Sequence, residues 1–73
     1  MKDTDYNEIK AFLALAREGS YTRAAQRLGV PKSYISRKVS ELEARLQIRL
    51  VERTTRSVRL TDDGLSYFEV CDQ

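Results

Sequence analysis

The turn centred on Gly29 constrains this chain most, because it separates two short segments whose apolar residues recur at helical spacing. Ser20 is a residue type that favours the start of a helix. An apolar stripe follows it at helical spacing: Ala24, Ala25 and Leu28. Gly29 can adopt the positive φ that ends a helix, and Pro31 fixes φ for the first turn of the next one. The pattern predicts two helices that cross closely at a tight turn.

The second of these helices, predicted over 32–46, has two faces. Its apolar stripe consists of Ile35, Val39, Leu42 and Leu46, and its polar face consists of Ser33, Ser36, Arg37 and Ser40. Short hydroxyl side chains let a helix approach the edges of DNA bases, and arginine can donate two hydrogen bonds to guanine. The same face could be only a solvated surface. The preceding turn and the local charge favour a helix that reads DNA.

Charge is distributed unevenly along the chain. The net charge of +2 combines −1 over residues 1–22, +7 over residues 23–59 and −4 over residues 60–73. The central block holds ten Lys and Arg residues against three Glu residues, and it coincides with the two helices and the segment after them. This is the charge pattern expected of a phosphate-binding surface.

The flanking segments predict a further helix before the turn and a hairpin after it. The first helix runs roughly over 6–17 and ends at Gly19, with a predicted buried stripe of Ile9, Phe12, Leu13 and Ala16. Apolar and polar residues alternate over 57–61, which indicates a strand, and 50–53 is a plausible partner. The hairpin would carry Arg53, Arg56 and Arg59 as a wing beside the reading helix, or it could be merely a solvated basic hairpin.

A last helix is predicted to start after Thr61, a good N-cap followed by two acidic residues that favour a helix N-terminus. It includes Leu65, Tyr67, Phe68 and Val70, and no stop signal precedes Gln73. We therefore expect this helix to continue beyond the end of the sequence.

Composition limits the classes of function. A chain of 73 residues with 41% hydrophobic and 33% charged residues is typical of one small globular domain. No apolar run is long enough to span a membrane, and a single Cys71 fits a cytoplasmic protein. The chain has no His, no glycine-rich phosphate loop and no metal-ligand spacing, so we expect neither an enzyme nor a cofactor.

Together these residues resemble the N-terminal DNA-binding domain of LysR-type transcriptional regulators. The matching pieces, in order, are Phe12, 19–22, Ala24-Ala25 with Leu28, Ser36-Arg37, Leu42-Glu43, Leu46, Leu50, Arg53, Arg56 and Leu60-Thr61 with Gly64. The resemblance implies a mainly α fold, a winged helix-turn-helix of three helices and a two-stranded wing, followed by the start of a linker helix. It implies a DNA-binding domain over 1–60 and the beginning of a dimerisation helix over 61–73, with the effector-sensing domain absent.

The resemblance also implies a set of contacts. Phosphate contacts fall on Ser20 and Thr22, groove contacts on Lys32, Ser33, Ser36 and Arg37, and wing contacts on Arg53 and Arg56. The implied partners are a double-stranded operator with an inverted repeat and a second copy of the chain, and the resemblance leaves open whether the full-length protein forms higher oligomers. Leu65 and Phe68 are the expected dimer contacts.

Several points depart from the family pattern or stay open. Residues 31–34 replace the usual Ser-Gln-Pro-Ala, Val51 replaces the usual Phe, and Gln47 replaces a glycine, at a cost of about 1–2 kcal/mol if it adopts the left-handed conformation. Tyr34 could stack on DNA or cover the edge of the preceding helix. The alternative function is a winged-helix module that binds protein and not DNA, although such a module would not need the basic central block.

Overall fold

The computed structural model describes residues 3–52 and 58–71, and for residues 3–5 it describes only the backbone. The elements in order are α1 (Asp3–Glu18), α2 (Tyr21–Leu28), α3 (Lys32–Leu46), β1 (Val51–Glu52), β2 (Arg59–Leu60) and α4 (Asp62–Cys71). Three helices, a two-stranded antiparallel wing and a further helix confirm the predicted fold class.

Local signals define the helix ends around the turn. The hydroxyl of Ser20 accepts a hydrogen bond from the backbone N–H of Arg23 at 3.2 Å, as an N-cap residue does. Gly29 has φ of 70° and its N–H bonds back to the last turn of α2, which confirms that it ends the helix. Gln47 ends α3 with φ of 59°, so this non-glycine residue does occupy the left-handed region.

The core lies where α1 crosses α2 and α3. Its largest fully buried apolar side chains come from three different parts of the chain: Phe12, Leu15, Ile35, Leu42 and Leu50. The predicted stripe of α1 was only partly right, because Phe12 is buried but Ile9, Leu13 and Ala16 are only half-buried. The buried face instead passes through Glu8, whose carboxylate is paired inside the fold and so does not need water.

The wing is short where it is described. Val51 pairs with Leu60 and Glu52 with Arg59 in an antiparallel register. Val51 is buried and therefore fills part of the space beneath the wing. The predicted tip of the wing, including Arg53 and Arg56, lies outside the described residues.

Helix α4 begins against the base of the wing. Thr61 caps it by accepting the N–H of Gly64 at 2.9 Å, and the ring of Tyr67 packs against Phe12 at a tilt of 53°, with ring centroids 5.8 Å apart. The helix is therefore fixed to the domain at its start and again near its middle. Within residues 3–52 and 58–71, none of the helices combines the length and apolar character that crossing a bilayer requires.

Candidate nucleic-acid interface

Helix α3 turns one face to the core and the opposite face to solvent. Ile35, Val39 and Leu42 are buried, which fixes the rotation of the helix about its axis. The predicted polar face is therefore outward: Ser33, Arg37 and Ser40 are exposed and Ser36 is half-buried. The serine side chains near the start of this face are short, so the helix backbone can come close to the base edges when the helix lies in a DNA groove.

The start of α2 lies beside the start of α3. Tyr21, Lys32, Ser33 and Ser36 together line a shallow open groove. Exposed Thr22 is in the first turn of α2, where the backbone N–H groups that Ser20 does not cap lack intrahelical acceptors and can bind an anion. The fold thus brings the predicted phosphate contacts of α2 next to the predicted groove contacts of α3.

Tyr21 is a lining residue that was missing from the sequence-based site. It is half-buried and packs against the core, so its ring forms a fixed wall between α2 and α3. Its position directly after the N-cap Ser20 was the available signal. The first side chain of a helix that begins at a surface groove is placed to line that groove.

The basic side chains divide into two groups according to their partners. Three of them pair with carboxylates: Arg27 with Glu18 at 3.2 Å, Lys38 with Glu41 at 3.4 Å, and Arg45 with Glu8 at 3.0 Å. Among residues 3–52 and 58–71, five basic side chains of the central block form no ion pair: Arg23, Lys32, Arg37, Arg49 and Arg59. All five are exposed, and two of them lie on the outer part of α3.

Tyr34 lies at the edge of the outward polar face of α3, which is called the reading face below. Its half-buried ring borders a small cavity with Leu28 and Val30, so it covers the end of α2 as one of the two interpretations predicted. The guanidinium of Arg37 lies 5.7 Å and the ammonium of Lys38 5.6 Å from its ring centroid. These cation–π contacts hold Arg37 near the helix without neutralising its charge.

Two glutamates have structural roles that the sequence did not reveal. The 1% exposed carboxylate of Glu8 accepts two hydrogen bonds from Arg45, at 3.1 and 3.0 Å, and joins α1 to the end of α3. The carboxylate of Glu43 accepts the backbone N–H groups of Leu50 at 2.8 Å and Val51 at 3.1 Å. Arg45 lies 37 residues from Glu8, and the partners of Glu43 are backbone N–H groups that every residue but proline has. Residue type and spacing therefore carry no signal for either contact.

The two predicted dimer contacts lie in different environments on α4. Leu65 is 50% exposed, whereas Phe68 is half-buried and packs on the domain's own core. Val70, at 70% exposure, is a second exposed apolar side chain of this helix. Leu65 and Val70 are five residues apart and so lie about 140° apart around α4, whereas Phe68 anchors the helix.

A short two-stranded wing beside a helix with an outward polar and basic face defines the winged helix-turn-helix class. The family model described as bacterial regulatory helix-turn-helix protein, lysR family, matches residues 6–65. The chain belongs to this family.

The relatives carry matching names. The chain is 50% identical over 63 residues to an HTH-type transcriptional repressor of Pseudomonas aeruginosa, covering 86% of this chain and 20% of that protein. It is 46% identical over 69 residues to an HTH-type transcriptional regulator of Xanthomonas campestris, covering 94% and 20%. The chain therefore spans about a fifth of the length of these relatives.

Among solved structures, the crystal structure of a CbnR DNA-binding domain in complex with DNA superposes with a TM-score of 0.88. Sequence identity is 35%, and the match covers 99% of this chain and 79% of that one. The similarity extends through α4, so the fold of the whole described chain is that of this domain.

Proposed function

We propose that the chain is the sequence-specific, double-stranded DNA-binding part of a LysR-type transcriptional regulator, with residues 1–60 as the binding domain and 61–73 as the start of the dimerisation helix. One observation carries the proposal. Lys32 and Arg37, which are exposed basic side chains of α3, form no ion pair among the described residues. Lys38 and Arg45 on the same helix are paired with carboxylates. The unneutralised charge is thus concentrated on the face that carries the short serines.

In this arrangement α3 enters the major groove with Ser33, Ser36 and Arg37 towards the bases. Lys32 and the start of α2, with Ser20 and Thr22, contact phosphates on the groove wall, where the helix N-terminus adds positive potential. The wing arginines, Arg53 and Arg56 among them, follow the backbone or the minor groove. Tyr34 supports Arg37 through its ring and lies at the rim of the contact.

Two copies, paired with each other through α4, would bind an inverted repeat. One α3 helix contacts only a few base pairs, and two-fold pairing doubles the number of base pairs contacted. Exposed Leu65 offers an apolar contact for that pairing, and Phe68 fixes the helix to its own domain. The proposed role is regulatory and not catalytic, and binding to the bacterial chromosome would place the protein in the cytoplasm.

The test is selection of bound fragments from random duplex DNA, followed by titration of the selected and a scrambled duplex. Arg37→Ala is expected to remove about 1–3 kcal/mol of discrimination between the two duplexes, the value of a good bidentate base contact. Arg27→Ala is the matched control, because Arg27 is paired with Glu18 outside the reading face. Equal weakening of both duplexes by Arg37→Ala would make Arg37 a phosphate contact only, and enrichment of no motif would refute the function.

A further inference from the structure

The backbone of Leu50 is held from two sides by the elements that flank the wing. Its N–H donates to the carboxylate of Glu43 on α3 at 2.8 Å, and its C=O accepts the N–H of Thr61 at 3.0 Å. Its side chain is fully buried in the core. One residue therefore connects the recognition helix, the base of the wing and the start of α4.

Helix α4 approaches this backbone without a spacer. A Cβ added to Gly64 would lie 2.1 Å from the carbonyl oxygen of Leu50, so only glycine allows the observed separation. The hydroxyl of Thr61 adds two contacts, because it donates to the carbonyl of Arg49 and accepts the N–H of Gly64. The first turn of α4 is thus fixed in both position and direction.

These contacts differ from ordinary side-chain packing. Glu43 and Thr61 both bond to backbone groups, and Gly64 packs directly on a backbone carbonyl. Backbone positions in a packed core cannot adjust as flexible side chains do, because protein interiors are close-packed. These contacts therefore hold the first turn of α4 against the backbone of the segment that links α3 to β1.

We propose that this anchor, defined as Glu43, Leu50, Thr61 and Gly64, sets the angle between α3 and α4 and thereby the separation of the two DNA half-sites that a pair of chains prefers. The inference rests on the proposed function, since it concerns how two reading helices are spaced. Glu43 and Thr61 act as positioning residues for specificity and contact no base.

The geometry makes separation sensitive to small tilts. A helix of ten residues, as α4 is, has a length of about 15 Å at 1.5 Å per residue. A tilt of about 13° at its start moves its far end by about 3.4 Å, which is close to the rise of one base pair. Because the partner tilts by symmetry, a modest change at the anchor is enough to alter the preferred separation by a base pair or more.

The test compares half-site sequence with half-site separation. Selection from random duplex DNA is carried out in parallel with the unmodified chain, with Glu43→Gln and with Thr61→Val, at a temperature where circular dichroism shows each variant to be folded. Glu41→Gln is the matched control for the first variant, because it loses the same charge on the same helix and, among the described residues, Glu41 pairs only with Lys38. Thr61→Ser keeps the hydroxyl and is the rescue for the second.

The expected result is that Glu43→Gln and Thr61→Val recover the same half-site motif as the unmodified chain, with a shifted or broadened separation. Both controls are expected to keep the original separation. Unchanged separation in both test variants, or a motif weakened in proportion to lost stability, would overturn the inference. An unmodified chain that selects half-sites at random separations would overturn it while leaving DNA binding intact, whereas enrichment of no motif refutes the proposed function itself.

A second measurement tests the anchor without DNA. Glu43→Gln is expected to speed amide hydrogen exchange about tenfold at Leu50 and Val51, the factor that corresponds to one weakened charge-assisted hydrogen bond. If the anchor is one unit, exchange also speeds at Thr61 and Gly64, which Glu43 does not contact through any bond described above. Faster exchange confined to the first two amides would show independent contacts and contradict the proposed coupling.

Discussion

Gly64 allows the packing argument to be tested quantitatively, because two effects of opposite sign compete there. The residue is buried in the first turn of α4 and, unlike Gly19 and Gly29, it does not have a positive φ. In an ordinary helix, replacing such a glycine with alanine stabilises the fold by about 0.5–1 kcal/mol. At this position the added Cβ would lie 2.1 Å from the carbonyl oxygen of Leu50.

The expected magnitude follows from the distance. Ordinary contact with that oxygen begins at 3.4 Å, so α4 and the Leu50 backbone must separate substantially. The same movement stretches the hydrogen bond from Thr61 to Leu50, now 3.0 Å, beyond useful length. Overpacking costs about 1–3 kcal/mol and the lost bond about 1 kcal/mol, so the net destabilisation, after the helix gain of about 0.5–1 kcal/mol is subtracted, is about 1–3.5 kcal/mol.

Thermal unfolding followed by circular dichroism measures this change. For a domain of this size, where 1 kcal/mol corresponds to about 4–8 °C, the Tm of Gly64→Ala should fall by roughly 4–28 °C. Ser66→Ala is the matched control, because Ser66 is exposed on the same helix and a surface change there is expected to stay within about 0.5 kcal/mol. A Tm for Gly64→Ala at or above that of the unmodified chain would show that α4 is free to move away from Leu50, and would refute the reasoning.

Other contacts give further predictions. Arg45→Ala should destabilise the domain by about 3–5 kcal/mol, because it leaves the buried carboxylate of Glu8 unpaired, whereas Glu8→Gln should cost less because the 47% exposed Arg45 can turn to water. Equal losses in urea denaturation would contradict this asymmetry. Affinity for duplex DNA should fall as the salt concentration rises, and Lys32→Ala should reduce the slope of log affinity against log salt by about 0.9. Lys38→Ala should change the slope less, because Lys38 is already paired with Glu41 in the free protein. A flat salt response would contradict phosphate binding. Native mass spectrometry should show two chains on an inverted-repeat duplex, and Leu65→Asp should reduce this to one; a one-to-one complex of the unmodified chain at saturation would rule out pairing through α4.

Elements with local signals were predictable from the sequence. The bounds of α3, the cap at Ser20 and the turn at Gly29 each depend on residues within a few positions of one another, and the structure confirms all three. For Gln47 the sequence left the conformation open and gave only its cost if left-handed, and the structure places it in the left-handed region. Local chemistry decides such features before any tertiary contact forms.

Elements that depend on distant partners were not predictable. A glutamate on a helix is read as solvent-facing, so the burial of Glu8 could not be inferred without Arg45, which is 37 residues away. For the same reason the predicted stripe of α1 was displaced from its true centre. The function of Glu43 as an acceptor for the wing backbone likewise depends on how α3 and the following loop meet in space.

The charge of the candidate interface combines both kinds of information. The sequence shows a central block of +7, but two of its bases, Arg27 and Arg45, are neutralised by Glu18 and Glu8, which lie outside that block. Phosphate binding therefore depends less on the total charge of the block than on where its unpaired basic side chains lie, because ion-paired side chains release few counterions when DNA binds. In the part of the chain that the structure describes, residues 3–52 and 58–71, the fold pairs the basic side chains that join helices and leaves Lys32 and Arg37, on the outer face of α3, without an ion pair. Net charge along the chain indicates the class of ligand, and the pairing pattern indicates which surface receives it.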